Sequence, residues 1–133
     1  MKKLLLIFTL LFSTLMFSTP SYAEWTEVSK NVSGTTFYVD FERIRKHDGY
    51  VYWWELGDYL RPTPEGILSG KIYKQGDCKL FRLKRLSGSF HKEPMGRGTG
   101  DSPPIPESMK DWKYPPPNST IEIVLKTVCE YAN

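Results

Sequence analysis

The chain has 133 residues, a length that allows one domain and excludes a multidomain architecture. Hydrophobic residues make up 40% and aromatic residues 14% of the chain, so it can bury a core, which excludes wholesale disorder. The formal net charge of +3 falls to +1 without residues 1–23, which hold two lysines and no acids, and we expect no nucleic-acid partner because such binding needs a strong positive field.

Residues 1–23 have the parts of a secretory signal peptide. Two lysines form a basic start, residues 4–17 are an apolar run, and a small-x-Ala pattern ends at Ala23. The apolar run is shorter than the roughly 20 residues that span a bilayer, which disfavours a membrane anchor. We therefore predict cleavage after Ala23. The mature domain, residues 24–133, should be exported to the periplasm or the outer cell surface and should contain no transmembrane segment.

Most of the mature domain has the composition of short strands, rich in β-branched and aromatic residues and bounded by turn residues. An Asp-Gly pair at 48–49 predicts a tight hairpin, because glycine accepts the positive φ of such a turn. A second turn is predicted at Gly76 and Asp77. These turns are too short for crossover connections, so we expect an antiparallel meander of about five to six strands. The predicted strand segments are residues 25–28, 35–40, 43–46, 50–59, 67–73 and 79–90.

The strand predicted at residues 50–59 is largely apolar on both faces. Alternation places Tyr52 and Trp54 on one face, and Val51 and Trp53 on the other. Because one helix covers only one face, we expect the Trp53 face to need a second cover, either a loop or a partner protein. Trp53 is therefore a candidate partner contact, unless a segment of the same chain buries it.

Residues 92–117 form a long loop, with three alternating glycines followed by two groups of prolines. A loop of this length in a small domain is typical of a binding loop or of a cover over the sheet. We expect Trp112 and Tyr114 to pack onto the sheet. The Gly-x-Gly-x-Gly pattern at 96–100 is unlike a phosphate-binding loop, because no helix begins after it.

The residue pattern at 119–131 predicts one C-terminal helix. Ser119 and Glu122 have the spacing of a capping box, and apolar residues follow at helical spacing. The two cysteines, Cys78 and Cys129, most simply form one disulfide in an exported chain. A metal pair and a reactive thiol are the alternatives, although histidines that would serve either are not nearby. A disulfide would fasten the helix to the sheet.

The sequence lacks the usual motifs of metal sites and nucleophilic catalysis. It has no His-x-x-x-His, no Cys/His cluster and no Gly-x-Ser-x-Gly, so we predict no metal, no cofactor and no enzymatic activity. A hydrolase that uses Asp40 or Asp58 is the least favoured hypothesis. Turn capping and solvation explain these carboxylates more simply.

Basic residues are concentrated on the two strands around Cys78. On one exposed face they would form a positive patch suited to acidic proteins or sulfated polysaccharides. The alternative is a solvated sheet surface that discourages edge-to-edge aggregation. The candidate partner-binding residues are Lys71, Arg82, Lys84, Arg85 and Trp53.

Several short patterns follow one another along the whole mature domain. They are Trp25, Phe37-Tyr38-Val39-Asp40, Trp54-Glu55-Leu56, Asp77-Cys78, Met95-Gly96-Arg97-Gly98, Trp112 and Val128-Cys129. In this order and spacing they resemble the bacterial surface-adhesin protein E family. The resemblance implies a small exported α+β domain whose antiparallel sheet is packed by one C-terminal helix and tied by a Cys78–Cys129 disulfide.

The same resemblance implies an adhesin that binds host matrix or plasma proteins and can form a homodimer. We therefore expect an exported, non-enzymatic binding protein of a Gram-negative-type envelope, with a protein or a sulfated polysaccharide as its partner. The alternative function is a periplasmic inhibitor or envelope assembly factor that binds a bacterial protein.

Overall fold

The computed structural model describes residues 23–133. The predicted signal peptide, apart from Ala23, lies outside these residues. In the described part, no helix is both long enough and apolar enough to cross a bilayer. The elements are β1 (Thr26–Lys30), β2 (Thr36–Val39), β3 (Arg45–His47), β4 (Tyr50–Asp58), β5 (Ser69–Asp77), β6 (Arg82–His91), β7 (Gly100–Asp101) and the helix α1 (Thr120–Ala132).

The strands form one antiparallel sheet in the order β1-β2-β4-β5-β6-β7. β2 and β3 follow one another along the same edge of β4, where β2 pairs with residues 55–58 and β3 with residues 50–52. The predicted α+β fold, with an antiparallel meander and one C-terminal helix, is confirmed. The sheet has more strands than expected, because Gly100 and Asp101 of the long loop pair with the end of β6.

The turn between β5 and β6 lies later than the sequence pattern predicts. Gly76 and Asp77 are the last residues of β5, and the turn itself covers residues 78–81. Gly76 is required for packing, because a Cβ there would lie 2.8 Å from Cζ3 of Trp53 and 2.9 Å from Cδ1 of Leu125. The glycine thus marks a close approach of the helix to the sheet, and the turn prediction at this position was wrong.

α1 begins directly after Ser119, whose hydroxyl accepts the backbone N–H of Glu122 at 3.1 Å. The Glu122 carboxylate in turn accepts the backbone N–H of Asn118 at 3.2 Å, so two N–H groups at the helix start are satisfied. Near the end of α1, Cys129 forms a disulfide with Cys78, with 5.8 Å between the Cα atoms. The predicted cap and the predicted disulfide are both confirmed.

The hydrophobic core lies between α1 and the face of β4 that carries Val51 and Trp53. Further along this face, residues 103–109 of the long loop border the same small cavity as Ile72 and Phe90. Helix and loop therefore cover the same side of the sheet, whereas the sequence pattern predicted a loop or a partner on this side and the helix on the other. The core residues are Val39, Val51, Trp53, Leu83, Val124, Leu125, Val128 and Cys129.

A buried ion pair joins β4 to β5 beside this core. Nζ of Lys74 lies 2.9 Å from Oε2 of Glu55, and the side chains are only 5% and 6% exposed. The indole N–H of Trp53 donates to Oε1 of Glu55 at 3.2 Å, which satisfies the second carboxylate oxygen. The polar groups of the pair therefore have partners in the interior, as buried charges require.

Candidate binding surface

Trp53 is not a contact residue for a partner, and this part of the site prediction was wrong. Its side chain is 0% exposed, because α1 covers its face of β4. The neighbouring Trp54 points to the opposite side of the sheet, where it is half-buried. Within residues 23–133 α1 does not lie over that side, which we call the open face, although the 3-10 helix Pro94–Gly96 contacts β4 and β5 at the end that carries Lys71. Its main side chains are Tyr50, Tyr52, Trp54, Lys71, Tyr73, Arg82 and Lys84.

The four basic candidates do not form one positive patch. Arg82 and Lys84 lie on the open face, near the turn between β5 and β6. Lys71 lies on the same face but at some distance. Along β5 it is roughly 13 Å from Gln75, the residue that pairs with Lys84, at about 3.3 Å per residue. Arg85 pairs with core-facing Lys74, so alternation places it on the covered face. The structure therefore brings together only Arg82 and Lys84.

These two cations lie over Trp112, which the long loop places on the open face. Cζ of Arg82 is 4.4 Å and Nζ of Lys84 is 4.6 Å from the indole centroid, both within cation–π distance. The ring of Tyr50 lies 5.4 Å from the same indole. Trp112 thus packs onto the sheet as predicted, whereas Tyr114 is 65% exposed and does not.

Asp77 neutralises Arg82 but not Lys84. Nε of Arg82 lies 3.0 Å from Oδ2 of Asp77, whereas no ion pair among residues 23–133 includes Lys84. The backbone N–H of Leu80, together with Arg82, holds the pKa of Asp77 below its ordinary value of 3.8, against a burial effect that raises it. Lys84 is therefore the member of this pair of cations that has no acidic partner.

The middle of the open face is an aromatic cluster. The ring of Tyr73 lies 4.9 Å from Trp54 and 6.2 Å from Tyr52, and all three side chains are half-buried. Nη2 of Arg45 donates to the hydroxyl of Tyr73 at 3.2 Å, and no acid pairs with this guanidinium among the described residues. The sequence did not indicate this cluster as a site, because alternation separates the two faces of β4 without saying which one the helix covers, and the helix was expected on this face.

At the end of the open face that carries Lys71 there is a groove of about 810 Å³. Trp54 borders it from β4, Trp25 from the segment before β1, and Arg97 from the long loop. Arg43, in the short 3-10 helix between β2 and β3, also lines it. The groove thus combines two indoles with three cations, and the sequence predicted only Lys71 among them.

The carboxylates considered for hydrolysis have structural partners. Oδ2 of Asp40 lies 3.3 Å from Nε of Arg43, without the geometry of a hydrogen bond. Oδ1 of Asp58 accepts the backbone N–H of Met95 at 2.8 Å. In the part of the chain that the structure describes, no three His, Cys, Asp or Glu side chains are grouped so that they could hold a metal ion.

The loop beside the groove is held by buried polar groups. The hydroxyl of Ser69, 0% exposed, accepts the backbone N–H of Gly96 at 2.8 Å and donates to the carbonyl of Glu93 at 2.6 Å. The backbone of Met95 has a φ of +59°, which is uncommon for a residue other than glycine. Together with the Asp58 bond to Met95, these contacts hold the loop next to Lys71.

Known proteins share this architecture. The sequence model of the surface-adhesin protein E family matches residues 25–130. Crystal form II of Haemophilus influenzae protein E has a similar fold, with a TM-score of 0.64 and 22% identity over 86% of this chain and 94% of that chain. Protein E from non-typeable Haemophilus influenzae gives a TM-score of 0.60 and 21% identity over 84% and 79%. No curated protein sequence matches this chain. Because the family model spans nearly the whole described domain, the chain belongs to the surface-adhesin protein E family.

Proposed function

We propose that this chain is an exported, non-enzymatic surface adhesin that binds a host matrix or plasma protein through the open face of its sheet. Membership of an adhesin family supports the adhesive role. The location at the periplasm or cell surface and the absence of catalysis are parts of the same proposal. The family resemblance also implies self-association, which stays a prediction that light scattering of the purified protein can test.

The observation that carries the proposal is the composition of the open face. Tyr52, Trp54 and Tyr73 are half-buried aromatic residues on a surface that neither α1 nor the core uses. Tyrosine, tryptophan and arginine are the residue types most enriched among the energetically dominant contacts of protein interfaces. The free charges beside them, on Arg45 and Lys84, are positive, so an acidic patch on a partner would complement this face.

Affinity capture with the purified, oxidised protein tests this function. One arm offers host matrix and plasma proteins, and the other offers an envelope extract of the producing bacterium, each at low and physiological salt. We expect specific capture from the host arm that weakens as salt rises, because exposed charges are screened. Capture from the envelope arm alone would contradict the adhesin proposal and would favour the periplasmic inhibitor or assembly factor.

A further inference from the structure

The groove beside Lys71 has the volume of a small-ligand site. With Ala23, which the predicted cleavage removes, at its border, its volume of roughly 810 Å³ falls within the range of about 300–1,000 Å³ that is typical of ligand pockets. Trp25 and Trp54 supply flat apolar surface along its border, and both indoles are half-buried. An indole that is neither in the core nor fully exposed is well suited to pack against a ring-shaped ligand.

The charges around the groove favour an anionic ligand. Three cations line it, but its one acidic residue, Asp40, already lies beside Arg43 at 3.3 Å. None of the ion pairs formed among residues 23–133 includes Lys71 or Arg97. Two cations without acidic partners at one groove attract a carboxylate or a sulfate, whose oxygens accept charge-assisted hydrogen bonds.

The site is preorganised by the loop beside it. Gly96, with a φ of +67°, lies so close to the stem of Lys71 that a Cβ at this glycine would be 3.1 Å from Cδ of the lysine. The loop is held in this place by the buried hydroxyl of Ser69 and by the Asp58 carboxylate, which accepts the N–H of Met95, a residue with a φ of +59°. Uncommon backbone conformations fixed by surrounding bonds are concentrated at ligand-binding loops, and a rigid site loses less entropy on binding.

We propose that this groove binds an acidic saccharide unit, with the sugar ring packed against Trp25 or Trp54 and its carboxylate or sulfate on Lys71 and Arg97. A saccharide fits better than an acidic peptide, because a pyranose ring offers a flat apolar face to an indole and hydroxyls to Ser89 and Arg43. The proposal rests on the proposed adhesin function, since it identifies the part of the host partner that this end of the open face recognises.

Titration with size-defined oligosaccharides tests the proposal, with the four indole N–H signals followed by NMR on the exported, oxidised protein. Heparin oligosaccharides supply sulfate and hyaluronate oligosaccharides supply carboxylate alone. We expect the Trp25 and Trp54 signals to shift. Trp53, which donates to Glu55 inside the core, is the internal control and should stay unchanged. Shifts confined to Trp112 would place the saccharide at Arg82 and Lys84 and would overturn the groove assignment.

Charge-matched variants complete the test. The double substitution Lys71→Gln with Arg97→Gln should weaken oligosaccharide binding roughly tenfold or more, since each cation loses a charge-assisted contact. The control, Arg61→Gln with Lys126→Gln, removes the same charge from exposed positions that do not line the groove and should bind like the unchanged protein. Equal losses in both variants would mean general charge attraction and would overturn the proposal.

Two further outcomes would contradict the assignment of the groove to an acidic saccharide but not the adhesin function. If poly-glutamate displaced the oligosaccharides and shifted the same two indoles more strongly, the groove would be a site for acidic polypeptide. If neither oligosaccharide bound while host proteins were still captured, the saccharide assignment would be wrong and the adhesin function would stand. Failure of the adhesin function would instead appear as loss of host capture itself.

Discussion

Asp77 is a single carboxylate that organises one end of the open face. Its Oδ1 accepts the backbone N–H groups of Lys79 and Leu80, each at 3.2 Å, and its Oδ2 pairs with Arg82 at 3.0 Å. It therefore stabilises the turn after β5 and holds Arg82 near the ring of Trp112. Because the folded protein lowers the pKa of Asp77, this stabilisation depends on pH.

We predict that Asp77→Asn lowers the Tm at neutral pH and that the difference from the unchanged protein disappears in acid. The folded pKa lies below the ordinary value of 3.8, so the unfolded chain takes up this proton first as the pH falls. The extra stability is fully present above the unfolded pKa, near 3.8, and is lost as the pH falls through the folded pKa. Thermal unfolding of both proteins between about pH 2 and pH 7 measures this, and a Tm difference independent of pH would contradict it.

Lys74 leads to a second prediction, because its charge is buried beside Glu55. Lys74→Met should lower the free energy of unfolding by about 3–5 kcal/mol, since it leaves the Glu55 carboxylate buried without its cation. Adding Glu55→Gln should recover part of that loss, because the amide is neutral and its oxygen still accepts the Trp53 N–H. Urea unfolding of the two single variants and the double variant gives the coupling energy. Additive losses would show that the two groups do not depend on each other.

The elements show where sequence patterns were sufficient and where they were not. The Ser119 cap and the apolar spacing after it located α1 to within one residue, because both signals are local. The prediction of the face that α1 covers was wrong, because β4 carries large apolar side chains on both sides and alternation alone does not say on which side a helix packs. Local patterns thus defined the elements, and the long-range packing of α1 on Trp53 decided which face became the core and which became the open face.

The disulfide is the covalent link between α1 and the sheet, and it leads to a prediction at this scale. Replacing Cys78 and Cys129 by serine should lower the free energy of unfolding by about 4 kcal/mol, because the open chain gains conformational entropy when it unfolds. For a domain of this size the Tm should fall by more than about 10 °C. Calorimetry of the double variant and of the reduced protein measures the effect. An unchanged Tm in both would mean that the bridge does not stabilise the fold.

At the scale of the whole molecule, one side of the sheet forms the core, while the other buries Leu56 near one end and leaves its aromatic side chains half-exposed. α1 and residues 103–109 lie on the covered side, while Trp112 and the loop near Met95 frame the open face at its two ends. Lys71, Arg82 and Lys84 could be predicted as surface residues from their strand positions. Trp25, Trp54 and Arg97 could not be predicted as one site, because they come from three distant segments that only the folded chain brings together.

The most direct test of the open face as the adhesive surface is host-protein capture by two charge-matched double variants. Arg45→Gln with Lys84→Gln removes two cations that have no acidic partner on the open face, whereas Arg61→Gln with Lys126→Gln removes two exposed cations elsewhere. Binding of the captured protein, measured at low salt for both variants, should fall roughly tenfold or more for the first pair and stay unchanged for the second. Equal binding by both variants would contradict the assignment of the open face as the contact surface.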